Sequence, residues 1–293
     1  MSSEPVSPVK ICSRCLYPSS ARPTIYFDQT GVCSGCRYQE SIDLIPESEW
    51  KSRWEQLREL LTVYSKAQRA KGNPYDCIIP VSGGKDSHYQ VHVVKRLLGF
   101  NPLLVTANHV YNSELGLANL SNLVEQFGCD LVRFTISPEA VRRVSRWSLL
   151  TMGDLTFHYH AAIMCLPMRM AVQWDVPLVV WGEEGFQKMV GMFQDKDQVE
   201  YTRWKTLEHD QRGYDREDLI GQDAGGGLGE IRAEDVEWMR YPCKEDVERV
   251  GVRGIYLSNY IRWDGHEQAK IVRGMYGFQM ASQRERTFLA YSK

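Results

Sequence analysis

The sequence predicts an α/β protein: a parallel β-sheet with helices on both faces, preceded by a small cysteine-rich ribbon. Short apolar runs, "YDCIIPV", "NPLLVTAN", "DLVRFTI" and "VPLVVW", alternate with longer segments of helical period between Tyr75 and Gly182. The first run ends in "SGGKDSH", a glycine turn entering a helix. Four of the 8 cysteines fall near the amino terminus as two C-x2-C pairs.

With 293 residues, 43% of them hydrophobic and 25% charged, the chain can bury a sizeable core. The patterning divides it into a four-cysteine ribbon over 1–45, a connecting helix over 46–72, an α/β domain over 73–190 and a substrate or cover region over 191–293. Lys and Arg number 35 against 37 Asp and Glu, which gives no electrostatic ground for binding along nucleic acid. No apolar run reaches about 18 residues and "MSSEPVSPVK" has no apolar signal core, so the expectation is a cytoplasmic protein without membrane spans.

The ribbon, "CSRCLYPSSARPTIYFDQTGVCSGC", presents Cys12, Cys15, Cys33 and Cys36. Two C-x2-C knuckles offer the four thiolates that a closed, structural Zn2+ prefers. A redox dithiol would instead follow a strand in a βαβ unit. In "PESEWKSRWEQLRELLTVYSKAQRA", Trp50, Trp54, Leu57, Leu60, Leu61 and Tyr64 recur at helical spacing, and "KGNP" ends the helix. Leu115 to Phe127 reads as a helix with Leu117, Leu120, Leu123 and Val124 inward, and Ser137-Pro138 as the cap and first turn of the next. A long helix near His158 to Trp174 leads into "VPLVVWGEEG". Beyond Gly191, "EYTRWKTLEHDQRGYDRED" and "DAGGGLG" read as a solvated helix and a flexible loop, or as a mobile cover over a site.

Ligands of parallel sheets bind beyond the carboxyl ends of strands, which is where Ser82 to Ser87 falls. Gly83 and Gly84 let the main chain approach a ligand closely, while the helix start supplies unpaired N–H groups suited to phosphate. Ser82 and Ser87 add hydroxyl donors, Lys85 a cation, and Asp86 a hard oxygen ligand for Mg2+. The Walker spacing GxxxxGK[ST] and the dinucleotide spacing GxGxxG cannot be fitted here.

The "SGGKDS" turn after a first strand resembles the pyrophosphate loop of the PP-loop, N-type ATP pyrophosphatases, whose adenine nucleotide alpha hydrolase-like fold it implies. "CSRCLYPSSARPTIYFDQTGVCSGC", "VSGGKDSHYQ", "GLANLSNL", "HYHAAIMCLPMRMAVQWDVPLVVWGEEG" and "GIYLSNYIRWDGHEQ" together resemble the N-acetyl sugar amidotransferases of surface-polysaccharide and O-antigen biosynthesis. The resemblance implies AMP-forming conversion of an acetamido group on a nucleotide-linked sugar to acetamidino. ATP, Mg2+ and a structural Zn2+ are the implied cofactors. Lys85 and Asp86 would be catalytic; Ser82, Gly83, Gly84, Ser87, Gly182 and Glu183 would join them in holding the nucleotide. Asp86 is the first Mg2+ ligand candidate and Glu183 the second, with Glu183 and Glu184 aimed into the cleft by the end of their strand. His158, His160 and Arg262 are the candidate substrate contacts.

No nucleophile elbow or amino-terminal cysteine marks a glutaminase, so ammonia is expected from a separate glutaminase through a barrel-shaped partner. The chain departs from the family pattern at Glu184, where a histidine is common, and at Ala161-Ala162. It also stops earlier than family chains do, and an abbreviated form is expected. A rival reading, a PP-loop tRNA thiolase or lysidine synthetase, would need further paired cysteines for thiolation, and no C-x2-C recurs after Cys36.

Overall fold

The computed structural model describes residues 8–21, 24–108, 110–185, 190–191 and 199–281. Its centre is a five-stranded sheet of β1 (Cys77–Pro80), β2 (Pro102–Asn108), β3 (Leu131–Thr135), β4 (Leu178–Trp181) and β5 (Arg253–Tyr256), in the order β3-β2-β1-β4-β5. All four pairings are parallel. The chain winds outward from β1 through β2 to β3, then returns to lay β4 on the other side of β1. That reversal is a topological switch point, and it leaves a crevice beyond the carboxyl ends of β1 and β4.

Burial on both faces explains why the inner strands read as unbroken apolar runs instead of alternating ones. Ile78, Leu103, Val105 and Val179 point into one core, while Cys77, Ile79, Leu104 and Leu178 point into the other. The first core is closed by α5 (Pro138–Met152), α6 (Phe157–Gln173) and the turn Ala233–Met239 carrying Trp238. The second is closed by α2 (Glu47–Ala70), α3 (Lys85–Val91), α4 (Glu114–Phe127) and the helix Gly265–Tyr276. Leu57 and Leu61 of α2 are fully buried against β1 and β4, each such side chain contributing about 1.5–3 kcal/mol.

Several local expectations are corrected. In α4, Leu117 is exposed, and the inward face is Leu120, Leu123 and Phe127 with the polar Asn119. Asn119 stays satisfied because its side chain donates to the Gln279 carbonyl at 2.9 Å and accepts from the Gln279 amide at 3.0 Å. Ser137 precedes Pro138 as predicted, but its side chain makes no capping bond. The "DAGGGLG" stretch is no loose loop: Gly221 and Ile231 pair across it, with Ala224 and Ile231 buried in the first core.

The ribbon is built by isolated bridges, Ile11 with Pro18 and Phe27 with Cys33. It ends in α1 (Ser34–Asp43), which starts directly after Cys33 and carries Cys36 in its first turn. The ribbon docks on the chain beyond β4. The Ser34 hydroxyl donates to the Val190 carbonyl, and Val190 shares a small apolar cluster with Cys12, Ile25 and Cys33. A Cβ on Gly191 would stand 2.4 Å from the Ser34 carbonyl oxygen, so this approach requires glycine.

Candidate active site

The Ser82–Ser87 turn joins β1 to α3 at the switch point. Gly83 has φ +82°, and a Cβ there would lie 2.9 Å from the Leu120 Cβ, so the turn needs glycine both for its conformation and for the closeness of α4. The Ser82 amide donates to Ser87 Oγ at 2.9 Å, and the Gly84 amide to Ser82 Oγ at 3.4 Å. His88, fully buried one turn into α3, is held between the Gly84 carbonyl at 3.0 Å and Asn122 Oδ1 at 3.2 Å, which braces the turn from behind. We expect Gly83→Ala to keep the fold at a cost of about 1–3 kcal/mol of strain while lowering turnover about 100-fold. Turnover within fivefold of the parent would show that the turn's geometry is not needed.

The turn opens into a cavity of about 210 Å3 bordered by Ser82, Asp86, Gln90, Tyr159, Pro167 and Glu183. Lys85 Nζ pairs with Asp86 Oδ1 at 2.6 Å, and both side chains are partly exposed. Across the crevice, Gly182 and Glu183 follow β4. A Cβ on Gly182 would lie 2.9 Å from the Trp263 ring, so glycine allows the indole to close that wall. A second cavity, of about 270 Å3, shares Glu183 and extends between α1 and the Arg262–Gly265 segment. A larger cavity, about 660 Å3, lies elsewhere, along β5 and Tyr201. Its cations Arg203, Arg240, Lys244 and Arg253 are paired with Asp215, Glu237, Glu248 and Glu200, respectively.

The structure therefore gathers Ser82, Gly83, Gly84, Lys85, Asp86, Ser87, Gly182 and Glu183 around one crevice. Arg262 borders the second cavity, its guanidinium 5.9 Å from the centre of the Trp50 ring. His158 and His160 border neither cavity. His158 is buried between α5 and α6, bonded through Nδ1 to Ser145 Oγ at 3.0 Å. His160 sits near Thr156 Oγ1 at 3.5 Å, and burial holds its imidazole below the ordinary value. The residue between them, Tyr159, faces the cavity together with Ala162, Ile163 and Leu166. Helical geometry explains the exchange, since the immediate neighbours of a cavity-facing residue point about 100° away from it.

Two more contributors escaped sequence reading. Gln90 lies four residues after Asp86, a spacing that alone puts it on the same helix face. Pro167 interrupts α6 and has no N–H to give the Ile163 carbonyl, freeing an acceptor in the stretch of helix along the cavity.

The two glutamates after β4 part company. Glu183 borders both cavities; Glu184 borders the second alone, is only 7% exposed and pairs with buried Lys205 Nζ at 3.2 Å. Lys205 also lies 5.0 Å over the Tyr256 ring. Nearby Asp210 is pushed up to about 7 by burial, then by the Glu184 carboxylate, with Lys205 and Arg212 opposing. A carboxyl group whose folded pKa exceeds its ordinary 3.8 binds its proton more tightly when folded. The stability it contributes is full below that value and is lost as pH rises toward 7. The melting temperature of Asp210→Asn is therefore expected to gain on the parent between about pH 4 and pH 7 and to run parallel to it above that. Profiles parallel throughout would remove Asp210 from the linkage.

At the ribbon, the sulfur atoms of Cys12, Cys15, Cys33 and Cys36 all lie within 4.8 Å of one another, a set able to hold a metal ion. Main-chain N–H groups, that of Cys15 foremost, lower the Cys12 thiol to about 6, whereas burial raises Cys36 to about 12. A cation is what would keep all four as thiolates together. Four sulfurs about 2.3 Å from one tetrahedral zinc stand about 3.8 Å apart, which the cluster accommodates. Asp86, a single carboxylate beside a phosphate-type turn, suits Mg2+, which keeps most of its other ligands as water and substrate oxygens.

No family model matches the chain. An uncharacterized protein of Methanocaldococcus jannaschii is 23% identical over 121 residues, 41% of this chain and 41% of that protein, so the match spans well under two thirds of the relative. Among solved structures, the NH3-dependent NAD synthetase of Campylobacter jejuni aligns with a TM-score of 0.37 and 15% identity over 50% of this chain and 61% of its own. The NMN synthetase of Francisella tularensis aligns at 0.34 and 13% over 80% and 98%, respectively. The U34-tRNA thiolase NcsA of Methanococcus maripaludis, with its [4Fe-4S] cluster, aligns at 0.31 and 11% over 98% and 86%. Among the described residues no helix is long and apolar enough to cross a membrane.

Proposed function

We propose that the chain is an ATP-dependent, AMP-forming amidotransferase acting on the acetamido group of a nucleotide-linked sugar. The observation that carries the reading is the SGGKDS turn at the end of β1, opening at the switch point into a cavity that Asp86 and Glu183 flank. Main-chain N–H groups of Gly83 and Gly84, with Lys85, would receive the outer phosphates. Asp86 would hold Mg2+, with Glu183 its second candidate; the ion supplies charge neutralisation of the pyrophosphate when bound.

In the chemistry proposed, the amide oxygen attacks the α-phosphorus and the bond to pyrophosphate breaks. This turns a hopeless leaving group, the amide oxygen, into AMP. Ammonia then attacks the activated carbon, a proton is lost, and the carbon–oxygen bond breaks to give acetamidino and AMP. Ammonia would come from a separate glutaminase through a barrel-shaped partner. The ribbon would hold a structural Zn2+, since in an iron–sulfur cubane each thiolate binds a different iron and the four sulfurs stand further apart than around one ion.

The test is incubation with ATP, Mg2+, ammonium and a panel of nucleotide-linked N-acetyl sugars, followed by mass spectrometry. The expected product is lighter by about one mass unit, the difference of O and NH, with AMP released stoichiometrically. Release of ADP would sink the reading. Stimulation by bulk tRNA and by none of the sugars would put the tRNA-modifying reading in its place. Glutamine used as well as ammonium by the isolated chain would remove the partner, and iron with visible absorption in place of zinc would remove the closed zinc site.

A further inference from the structure

We infer that the second cavity is the acceptor site of this reaction, and that the metal-holding ribbon forms one of its walls. The inference rests on the amidotransferase reading and extends it to the place where the sugar binds. The cavity adjoins the nucleotide crevice at two points. Glu183 borders both, and Lys85 Nζ comes within 3.3 Å of where a side chain on Gly265 would begin. A group seated there lies beside the residues assigned to the phosphates.

Its walls have the chemistry of a hydroxyl-rich, anionic ligand. Trp50 and Trp263 supply apolar ring surface, and the indole N–H of each is buried without a hydrogen-bond partner among the described residues. Trp50 is only 6% exposed, so its ring is a packed part of the wall. Asp43 and Asp264 offer acceptors for sugar hydroxyls. Arg262, exposed beside Trp50, offers a fork for a phosphate or carboxylate. This mixture of donors, acceptors and aromatic faces suits a glycosyl group on a nucleoside diphosphate better than a bare nucleobase or an acyl chain.

The ribbon's part is specific. Gln39 and Asp43 on α1 border the cavity, and the Gln39 amide donates to Asp43 Oδ1 at 3.1 Å. Cys33 and Cys36 begin that same helix, so an ion held by the four cysteines fixes α1 one turn from the ligand. Loss of the metal would then act first on the sugar and only later on ATP.

The experiment uses the full, metal-loaded chain, with AMP release measured against the nucleotide-linked N-acetyl sugar that supports most turnover. Gln39→Ala and Asp43→Ala, both at exposed positions, are expected to raise the KM for sugar about tenfold or more and leave the KM for ATP within about twofold. Tyr26→Ala, 73% exposed on the ribbon and outside the cavity, is expected to change neither. An unchanged sugar KM in both α1 variants overturns the assignment while leaving the amidotransferase reading intact, and so does an equal rise in both KM values. If no sugar supports AMP release, the underlying reading falls and this inference falls with it.

Discussion

Lys85→Met is expected to lower AMP-forming turnover by about 100- to 1,000-fold, the usual cost of removing one preorganised charge from a developing anion. The folded protein should be nearly unaffected. Lys85 is partly exposed, and its ion pair with Asp86 lies near the surface, where such pairs contribute about 0–1 kcal/mol. The loss should appear in kcat as well as in the KM for ATP, because charge builds on pyrophosphate mainly as the bond to the α-phosphorus breaks. Quench-flow or coupled pyrophosphate assays would read it. Turnover within fivefold of the parent would show that the phosphates lie somewhere other than the SGGKDS turn.

The second large effect is on stability. Lys205→Met should destabilise the protein by about 3–5 kcal/mol, because it removes the buried cation that faces the Glu184 carboxylate. For a domain of this size that lowers the melting temperature by about 10 °C. The double variant Lys205→Met with Glu184→Leu is expected to recover most of the loss, since a buried ion pair and an apolar pair of similar volume are often equivalent. A single variant as stable as the parent, measured in urea and by heat, would show the pair to be open to water. Lys205 borders neither the nucleotide crevice nor the second cavity, so the single variant's stability loss should separate from turnover, whereas the double variant also alters the second cavity at Glu184.

The contrast between Glu183 and Glu184 marks what was legible in the sequence. That both follow a strand at its carboxyl end could be read from "VPLVVWGEEG", and the parallel sheet, its glycine turn and the four-cysteine set were equally plain. Which of two adjacent carboxylates would turn inward depended on a lysine 21 positions further along the chain, in a stretch that read as solvated. Strand order was likewise hidden, because an apolar run records that a strand is buried on both faces but not which neighbours bury it. His158 and His160 drew attention by residue type, while Tyr159 held the position facing the cavity. In the glycine-rich stretch, composition suggested looseness where Ala224 and Ile231 anchor a turn in the core. The bonds of Ser34 with Val190 and of Gln68 with the Asp175 carbonyl join residues too far apart for any local pattern to record.

The Ser34–Val190 contact has a consequence for the order of events during synthesis. The cysteine pairs leave the ribosome early and need only local chain to gather an ion, yet their docking partner follows 156 residues later. At about 5–20 residues per second, the completed knuckle waits about 8–30 s with Ile25 and its neighbours uncovered by Val190. A nascent chain stalled before β4 should thus carry its metal and still be open to protease at the ribbon, and protection should arrive only when translation passes Gly191.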